Sequence, residues 1–204
     1  YKKEYKKVMK EKQWHFLVAC LLFNFGILGI VKYTDFMIGN INGIIGMFNG
    51  EPLNFMNFAL PMGISFYTFQ SMGYIIDVYR GTCDVEDNIF KLALFISFFP
   101  QVIQGPISRF KDLSQTLYQE HAFDFKQVSF GLQRILWGFF KKLVIADRIL
   151  VAVKTLIGDP STYDGIFVFV GMIFYAINLY ADFTGGIDIT IGIAQTLGIS
   201  LKEN

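Results

Sequence analysis

The feature that most constrains the fold is the uncharged run from Phe55 to Ile76, FMNFALPMGISFYTFQSMGYII. About twenty such residues suffice to cross a bilayer as a helix, because a helix rises about 1.5 Å per residue. The run therefore predicts a membrane-spanning helix. Pro61 is tolerable near the start of such a helix and would kink it elsewhere.

Polar side chains recur along this run at helical spacing. Tyr67, Gln70, Tyr74 and Asp77 fall on one side of a helix, with Gly63 a turn before them. Because an unpaired polar group in hydrocarbon costs several kcal/mol, that side has to face other helices or an aqueous cavity. The run thus predicts one wall of a polar interior.

Composition places the rest of the chain in a membrane as well. Apolar residues make up 53% of the chain and charged residues 17%, whereas soluble domains carry about 25% charged residues. The span predicted first runs from Trp14 to Val31. Repeated apolar segments with short polar joints predict an all-α fold: a polytopic transmembrane helical bundle with re-entrant or broken helices, in one domain over residues 1–204.

The charge distribution is asymmetric. The first twelve residues carry six lysines and two glutamates, against a net charge of +1 for the whole chain. A basic flank beside the first span predicts a cytoplasmic N-terminal end, and a tail that binds lipid headgroups is compatible with it. Nucleic acid is not an expected partner. The two cysteines, Cys20 and Cys83, support neither a disulfide scaffold nor a metal site.

Glycines at positions 39, 43, 46 and 50 follow the first span at spacings of three and four residues. Such spacing can let helices approach closely. The favoured interpretation is a short interfacial helix that breaks at Asn49 to Pro52, because this apolar run is too short to span a bilayer.

The apolar stretch from Ile89 to Phe110 is interrupted by Pro100 and again by Gly105-Pro106, so one straight helix is not expected. A re-entrant segment is preferred to a kinked span, because a full crossing would carry the basic residues that follow outward. Irregular backbone at membrane depth survives only inside protein or beside a cavity. The candidates for a cavity wall are Gln101, Gln104, Gly105 and Pro106.

A basic stripe follows. Arg134, Lys141 and Arg148 are each seven residues apart and nearly superpose on a helix with Gln127. Contact with anionic lipid by snorkelling is the favoured interpretation. Attraction of a phosphorylated donor is the alternative.

Two carboxylates, Asp182 and Asp188, lie beside or within the last apolar segment. Charges there are costly, so they mark a candidate functional site with a cationic partner such as Arg109 or Arg80. A structural role is the favoured interpretation for each of them, since acidic residues commonly cap helices and Thr184 to Gly186 predicts a break with a new helix beginning near Asp188. His15 and His121 have no companion residues that suggest chemistry.

Four blocks, in this order, resemble the membrane-bound O-acyltransferase family: FALPMGISFYTFQSMGYIIDVYRG, SFFPQVIQGPISRF, WGFFKKLVIADR and YADFTGGIDITIGIAQTLGISLKEN. They cover the chain from about Phe58 to Asn204. The likeness is greatest to the bacterial branch that O-acetylates alginate, and teichoic acid D-alanyl transfer proteins are more distant. Four ordered blocks are more specific than a single short motif.

The resemblance implies a multi-pass protein of the bacterial cytoplasmic membrane, folded around a tunnel and acting on a thioester donor with no bound cofactor or metal. The expected donor is acetyl-CoA or an acylated carrier protein, and the expected acceptor is a cell-surface polysaccharide or an extracytoplasmic acyl-relay protein. Family chemistry uses a membrane-embedded His as base, expected in a Trp-rich stretch after Asn204. This chain alone is therefore expected to be inactive.

The resemblance also implies a set of substrate-binding or cavity-lining residues. They are Tyr67, Gln70, Asp77, Arg80, Gln104, Pro106, Arg109, Tyr180, Asp182, Asp188 and Asn204. Two other classes compete with the acyltransferase: a membrane transporter or channel, since intramembrane carboxylates and broken helices are typical of both, and a non-catalytic membrane subunit of an acylation complex.

Overall fold

The computed structural model describes residues 2–158 and 162–203, and their side chains from Gln13 onward. In this part of the chain the regular structure is helical, so the predicted all-α class is confirmed. The chain divides into two compact units, residues 1–97 and 98–204. The single domain over the whole chain stays a prediction.

Three helices form the first unit: α1 (Lys2–Met47), α2 (Ile64–Arg80) and α3 (Ile89–Ile96). Helix α1 packs against α2, and α2 against α3. Aromatic rings join the first pair, since the ring of Trp14 lies 6.2 Å from that of Tyr79 and Phe25 meets Phe69 edge-on at 6.5 Å.

The predicted first span lies within α1, whose part from Gln13 to Met47 is long and apolar enough to cross a membrane. The separate interfacial helix is wrong, because α1 continues without a break through Gly39, Gly43 and Gly46. The predicted end is confirmed by a turn at Asn49, whose φ is 54°. A Cβ added to Gly43 or Gly46 would meet nothing within 4 Å, so these glycines mark no close helix contact in this unit.

The run from Phe55 to Ile76 is helical only in its second half. Helix α2 begins at Ile64 and has 17 residues, fewer than the roughly twenty that span a bilayer. The predicted long helix is wrong because positive φ angles at Asn57 (50°) and Gly63 (78°) prevent helix propagation through the segment containing Pro61.

Helix α1 holds the extended segment before α2 through side chains. The Asp35 carboxylate accepts hydrogen bonds from the backbone N–H groups of Met56 (2.8 Å) and Asn57 (3.1 Å). The Asn42 amide accepts from the N–H of Leu53 at 2.7 Å and donates to its carbonyl at 2.9 Å. Backbone groups that no helix satisfies are thus paired with α1.

The second unit contains α4 (Phe99–Gln104), α5 (Phe110–Leu117), α6 (Phe125–Phe139), a π-helical turn (Phe140–Ala146), α7 (Asp147–Gly158) and α8 (Ile166–Thr196). Helix α8 is long and apolar enough to cross a membrane. Helices α4, α6 and α7 and the π-helical turn all pack against it. It is therefore the central element of this unit.

The interruptions predicted around Pro100 and Gly105-Pro106 are confirmed. Pro100 lies in the first turn of α4, where its missing N–H is tolerated, and α4 ends before Gly105. The buried Gln101 amide donates to the carbonyl of Pro106 at 2.8 Å and to the Ser108 hydroxyl at 2.7 Å. Gln101 therefore holds the irregular backbone together, and re-entry into a membrane stays a prediction.

Helices α6 and α8 approach along a glycine seam formed by Gly131, Gly138, Gly185 and Gly192. A Cβ on Gly138 would lie 2.7 Å from the carbonyl oxygen of Gly185, and one on Gly185 would lie 2.9 Å from that of Gly138. Gly131 and Gly192 meet in the same way, at 2.8 and 2.7 Å. The predicted break at Thr184 to Gly186 is wrong, because here the glycines permit close helix contact within a continuous α8.

Candidate functional site

An ion cluster formed by Arg134, Lys141, Asp188 and Glu203 lies beside the glycine seam. Asp188 is on α8 between the two seam glycines of that helix, and its Oδ1 accepts from Arg134 Nε at 2.9 Å. Its other oxygen, Oδ2, accepts from Lys141 Nζ. The side chains of Arg134, Lys141 and Asp188 are 27%, 14% and 16% exposed, so the cluster is largely removed from solvent.

This cluster corrects two predictions. The basic stripe was expected to face lipid, but Arg134 and Lys141 turn toward Asp188 because the seam brings α6 and α8 into register; Arg148 is exposed. The partners expected for the carboxylates, Arg109 or Arg80, are also wrong for Asp188. Its place inside α8 excludes a role as an N-cap.

A second ion pair lies on the same helix contact. Lys142 Nζ contacts Asp182 Oδ1, and the two side chains are 37% and 41% exposed. Both lysines come from the π-helical turn, where i→i+5 hydrogen bonds replace the α pattern. Its consecutive lysines, Lys141 and Lys142, thus reach different carboxylates of α8.

The end of the π-helical turn is held by Asn178 of α8, whose side-chain amide donates to the carbonyl of Ala146 at 2.8 Å. Asn178→Ala is expected to lower the free energy of unfolding by about 1 kcal/mol, the usual net value of such a bond. Thermal or denaturant unfolding measures the change. Asn40→Ala is the matched control, since the Asn40 amide bonds only within its own exposed helix turn; equal losses in both variants would contradict the prediction.

One cavity adjoins the cluster, and a second, smaller cavity shares Gln127 with it. The larger, of about 270 Å³, is lined by Gln127, Arg134, Ile191, Gln195, Ile199, Ser200, Leu201 and Glu203. The smaller, of about 180 Å³, is lined by His121, Ala122, Phe123, Asp124, Gln127, Val128, Thr196, Leu197 and Gly198. The two cavities thus meet at Gln127 on α6, and the ion cluster borders the larger one.

The segment after α8, Gly198 to Glu203, closes one side of the larger cavity. Leu201 is buried, and the N–H of Ser200 donates to the Thr116 hydroxyl at 3.2 Å. Lys202 lies 3.5 Å from Asp112, and Glu203 Oε1 accepts from Arg134 at 2.5 Å. Two ion pairs and one apolar side chain therefore hold this segment on α5 and α6.

His121 takes part in the same attachment. Its Nε2–H donates to the carbonyl of Thr116 at 2.7 Å, and its ring packs on Gly198, whose φ is 82°. A Cβ on Gly198 would lie 2.7 Å from the ring, so the contact needs glycine. These contacts indicate a structural role for His121.

The attachment of Glu203 is expected to depend on pH. The guanidinium of Arg134 holds the pKa of this carboxyl below its ordinary value. The pair therefore contributes stability above the ordinary pKa of glutamate, about 4.3, and loses it as pH falls through the lower folded pKa. Its contribution is at most about 1 kcal/mol, since Glu203 is exposed.

Hydrogen exchange of the amides from Gly198 to Glu203 measures this change. Protection is expected to fall in acid for the wild-type protein, with correction for the intrinsic pH dependence of exchange. In Glu203→Gln it is expected to be reduced at neutral pH to the level of the acidified wild-type protein and to change little with pH. Equal protection in the two proteins at neutral pH would contradict the assignment.

The structure brings some of the predicted site residues together in the second unit. Gln104 lies against Gly186 of α8, and Asp182 and Asp188 belong to the two ion pairs. Pro106 is buried, whereas Arg109 and Tyr180 are exposed. The two cavities described above are lined by other residues, so a shared chamber for this set stays a prediction.

The predicted residues of the first unit lie along α2. Gln70 is buried, as is its stripe neighbour Tyr74, whose hydroxyl accepts from the N–H of Glu86 at 2.8 Å. Tyr67 and Asp77 are half-buried and Arg80 is exposed. The two central residues of the polar stripe, Gln70 and Tyr74, are thus buried and make contacts within the protein. Asn204 lies outside the described residues.

Four residues of the glycine seam and the ion pairs were not predicted from the sequence: Gly131, Gly138, Lys142 and Glu203. A signal for the glycines existed, because Gly131 and Gly138 are seven residues apart, as are Gly185 and Gly192. Each pair therefore shares one helix face. The ion-pair role of Lys142 depends on the π-helical turn, for which the sequence carries no comparable signal.

The chain is similar to several bacterial proteins named as acyl-transferring enzymes, although no family model matches it. It is 37% identical over 191 residues to "Probable alginate O-acetylase AlgI" of Pseudomonas aeruginosa, which covers 92% of this chain and 36% of the relative. It is 29% identical to "Peptidoglycan O-acetyltransferase" of Helicobacter pylori, over 92% of this chain and 40% of the relative.

A third relative is "Teichoic acid D-alanyltransferase" of Bacillus subtilis, 29% identical over 75% of this chain and 38% of that protein. The chain thus spans little more than a third of the length of the curated relatives it matches. The named relatives share acyl transfer, and the similarity to AlgI extends over nearly the whole chain. This similarity and the four ordered blocks confirm the predicted resemblance to the membrane-bound O-acyltransferase family and its alginate O-acetylase branch.

Proposed function

We propose that the protein containing this chain is a membrane O-acyltransferase that moves an acyl group, most simply acetyl, from a thioester donor to a cell-surface polysaccharide. The observation that carries the proposal is the 37% identity to the alginate O-acetylase over 92% of the chain. Two helices of spanning length support a location in the membrane.

The arrangement around α8 is compatible with this chemistry. A hydroxyl attacks a thioester most readily when a base removes its proton, and exclusion of water protects the donor from hydrolysis. The described chain supplies a partly buried ion cluster with a polar cavity beside it. We assign no catalytic base to it: His121 is engaged by Thr116 and Gly198, and the base is proposed to be a histidine of the protein outside residues 1–204.

The donor, acceptor and orientation belong to the same proposal. The donor is acetyl-CoA or an acylated carrier protein on the cytoplasmic side, and the acceptor is a polysaccharide or an extracytoplasmic protein that relays the acyl group. The protein is proposed to be multi-pass, with the lysine-rich N-terminal end of this chain in the cytoplasm. Membrane lipid surrounds it.

Deletion of the gene in its own bacterium tests the activity. The exported polysaccharide is expected to lose its O-acetyl esters, measured by proton NMR, while polymer yield stays constant, and the wild-type gene restores the esters. A transporter would instead change polymer yield. Loss of yield with normal acetyl content per sugar would therefore overturn the proposal.

Reconstitution distinguishes an enzyme from a non-catalytic subunit. The purified whole protein in liposomes is supplied with labelled acetyl-CoA and, separately, with an acetylated carrier protein. Label is expected to pass to the acceptor from one of the two donors. Label transfer only after a second membrane protein is added would favour the subunit.

A further inference from the structure

The larger cavity beside the ion cluster has the composition of a small anion site. Besides the Glu203 carboxylate, its polar lining comes from an arginine, two glutamine amides and a hydroxyl, contributed by α6, α8 and the segment after α8: Gln127, Arg134, Gln195 and Ser200. Arginine with neutral hydrogen-bond donors is the usual protein environment for a carboxylate or a phosphate. At about 270 Å³ the cavity suits one end of a larger ligand.

The anion position at Arg134 is already filled, by a group of this chain. Asp188 accepts from the Nε and Nη2 edge of the guanidinium, and Nη1 donates to Glu203. The two carboxylates differ in how firmly they are held. Asp188 is 16% exposed and shared with Lys141, whereas the Glu203 side chain is 62% exposed.

Glu203, the more exposed of the two carboxylates, is therefore the partner of Arg134 that a ligand can replace, and the charges of the cluster support this. With Glu203 in place, the four ionised groups of the cluster sum to zero. When Glu203 swings into solvent, Arg134 and Lys141 face Asp188 alone, and one positive charge is left uncompensated beside the cavity. An exposed ion pair of this kind is weak, so its release costs little.

We propose that the cavity between α6, α8 and the segment after α8 is a binding site for an oxyanion group, carboxylate or phosphate, that takes the place of Glu203 on Arg134. Glu203 is the internal competitor that occupies the guanidinium when no ligand is bound. The Gln127 and Gln195 amides and the Ser200 hydroxyl supply further hydrogen bonds to the incoming oxygens.

Both components of the proposed reaction contain such groups, because polyuronates bear carboxylates and CoA bears phosphates. The site could therefore serve the acceptor side or the donor side. The identity of the ligand rests on the proposed function, whereas anion binding itself is measured without acyl transfer.

The test measures binding of three probes to the whole protein in nanodiscs: a uronate trisaccharide, CoA and a neutral trisaccharide. Glu203→Gln is expected to tighten binding of one anionic probe about fivefold, which corresponds to release of an ion pair of about 1 kcal/mol. The anionic probe that responds identifies the carboxylate or the phosphate source. The neutral probe is expected to be unaffected.

Two variants control the result. Lys202→Gln loosens the same segment at its Asp112 contact while leaving Glu203 on Arg134, and is expected to leave binding within about twofold. Arg134→Lys, which keeps the charge but loses the bidentate geometry, is expected to reverse the gain in Glu203→Gln. The proposal is overturned if neither anionic probe responds to Glu203→Gln, or if Lys202→Gln tightens binding equally.

Discussion

Gly138→Ala is expected to lower the free energy of unfolding of the protein by about 2 kcal/mol, within the range for overpacking a well-packed contact. The added methyl would lie 2.7 Å from the carbonyl oxygen of Gly185 and 2.9 Å from the backbone nitrogen of Ile189. Both neighbours belong to a helix backbone, which no rotamer change can move. Helices α6 and α8 therefore have to separate along the glycine seam.

Thermal unfolding of the purified protein in detergent measures the loss. Gly43→Ala is the matched control, because a Cβ there meets nothing within 4 Å and alanine stabilises a helix by up to about 1 kcal/mol over glycine. A decrease for Gly138→Ala with no decrease for Gly43→Ala is the expected pattern. If both variants behave alike, helix propensity and not the seam determines the outcome.

The Gly138→Ala/Gly185→Ala double variant sharpens this test. Each single change forces the same separation of the same two helices, so the second methyl enters a contact that is already open. The combined loss is expected to be smaller than the sum of the single losses, as for residues in direct contact. Additive losses would indicate that the two glycines act independently.

Asp188→Asn is expected to cost about 3 kcal/mol, the lower end of the range for removing one partner of a buried ion pair. The change leaves the charges of Arg134 and Lys141 facing each other across a neutral amide, with side chains that are only 27% and 14% exposed. Glu203 compensates one of them only from an exposed position. Fewer folded molecules and weaker acyl transfer are expected together.

Asp182→Asn is the control for this effect. The Asp182 and Lys142 side chains are more than one-third exposed, so water can solvate the lysine left behind. A loss below about 1 kcal/mol is expected. Adding Lys141→Met to Asp188→Asn removes one uncompensated charge and is expected to recover part of the stability. Equal losses for Asp182→Asn and Asp188→Asn would contradict the burial argument.

The helix interruptions at Pro100 and Gly105 could be predicted from the sequence, because proline and glycine act through local backbone geometry. The length of α2 could not be predicted from the sequence. Its uncharged run satisfies the composition rule for a span, but Asp35 of α1 binds the non-helical backbone of Met56 and Asn57 at the start of that run. Hydrogen bonds between distant segments overrode a local hydrophobic signal.

The glycines are a second case in which a local sequence pattern does not predict how helices pack. Spacing drew attention to Gly39, Gly43 and Gly46, where the structure shows no close contact in the first unit. Gly185 and Gly186 were interpreted as a break, although both are buried where α8 meets other helices. A glycine pattern marks a position where close approach is possible, and the neighbouring helix decides whether it occurs.

The sequence alone predicts a helical membrane fold, the resemblance to the acyltransferase family and the two candidate carboxylates, Asp182 and Asp188. These follow from composition, from helical spacing and from ordered blocks, all of which are read along the chain. The tertiary structure decided that Asp188 pairs with Arg134 and Lys141, and that Glu203 returns to Arg134. Those partners are dozens of residues apart, so they depend on how closely α6 and α8 pack, which glycines permit and no local pattern specifies.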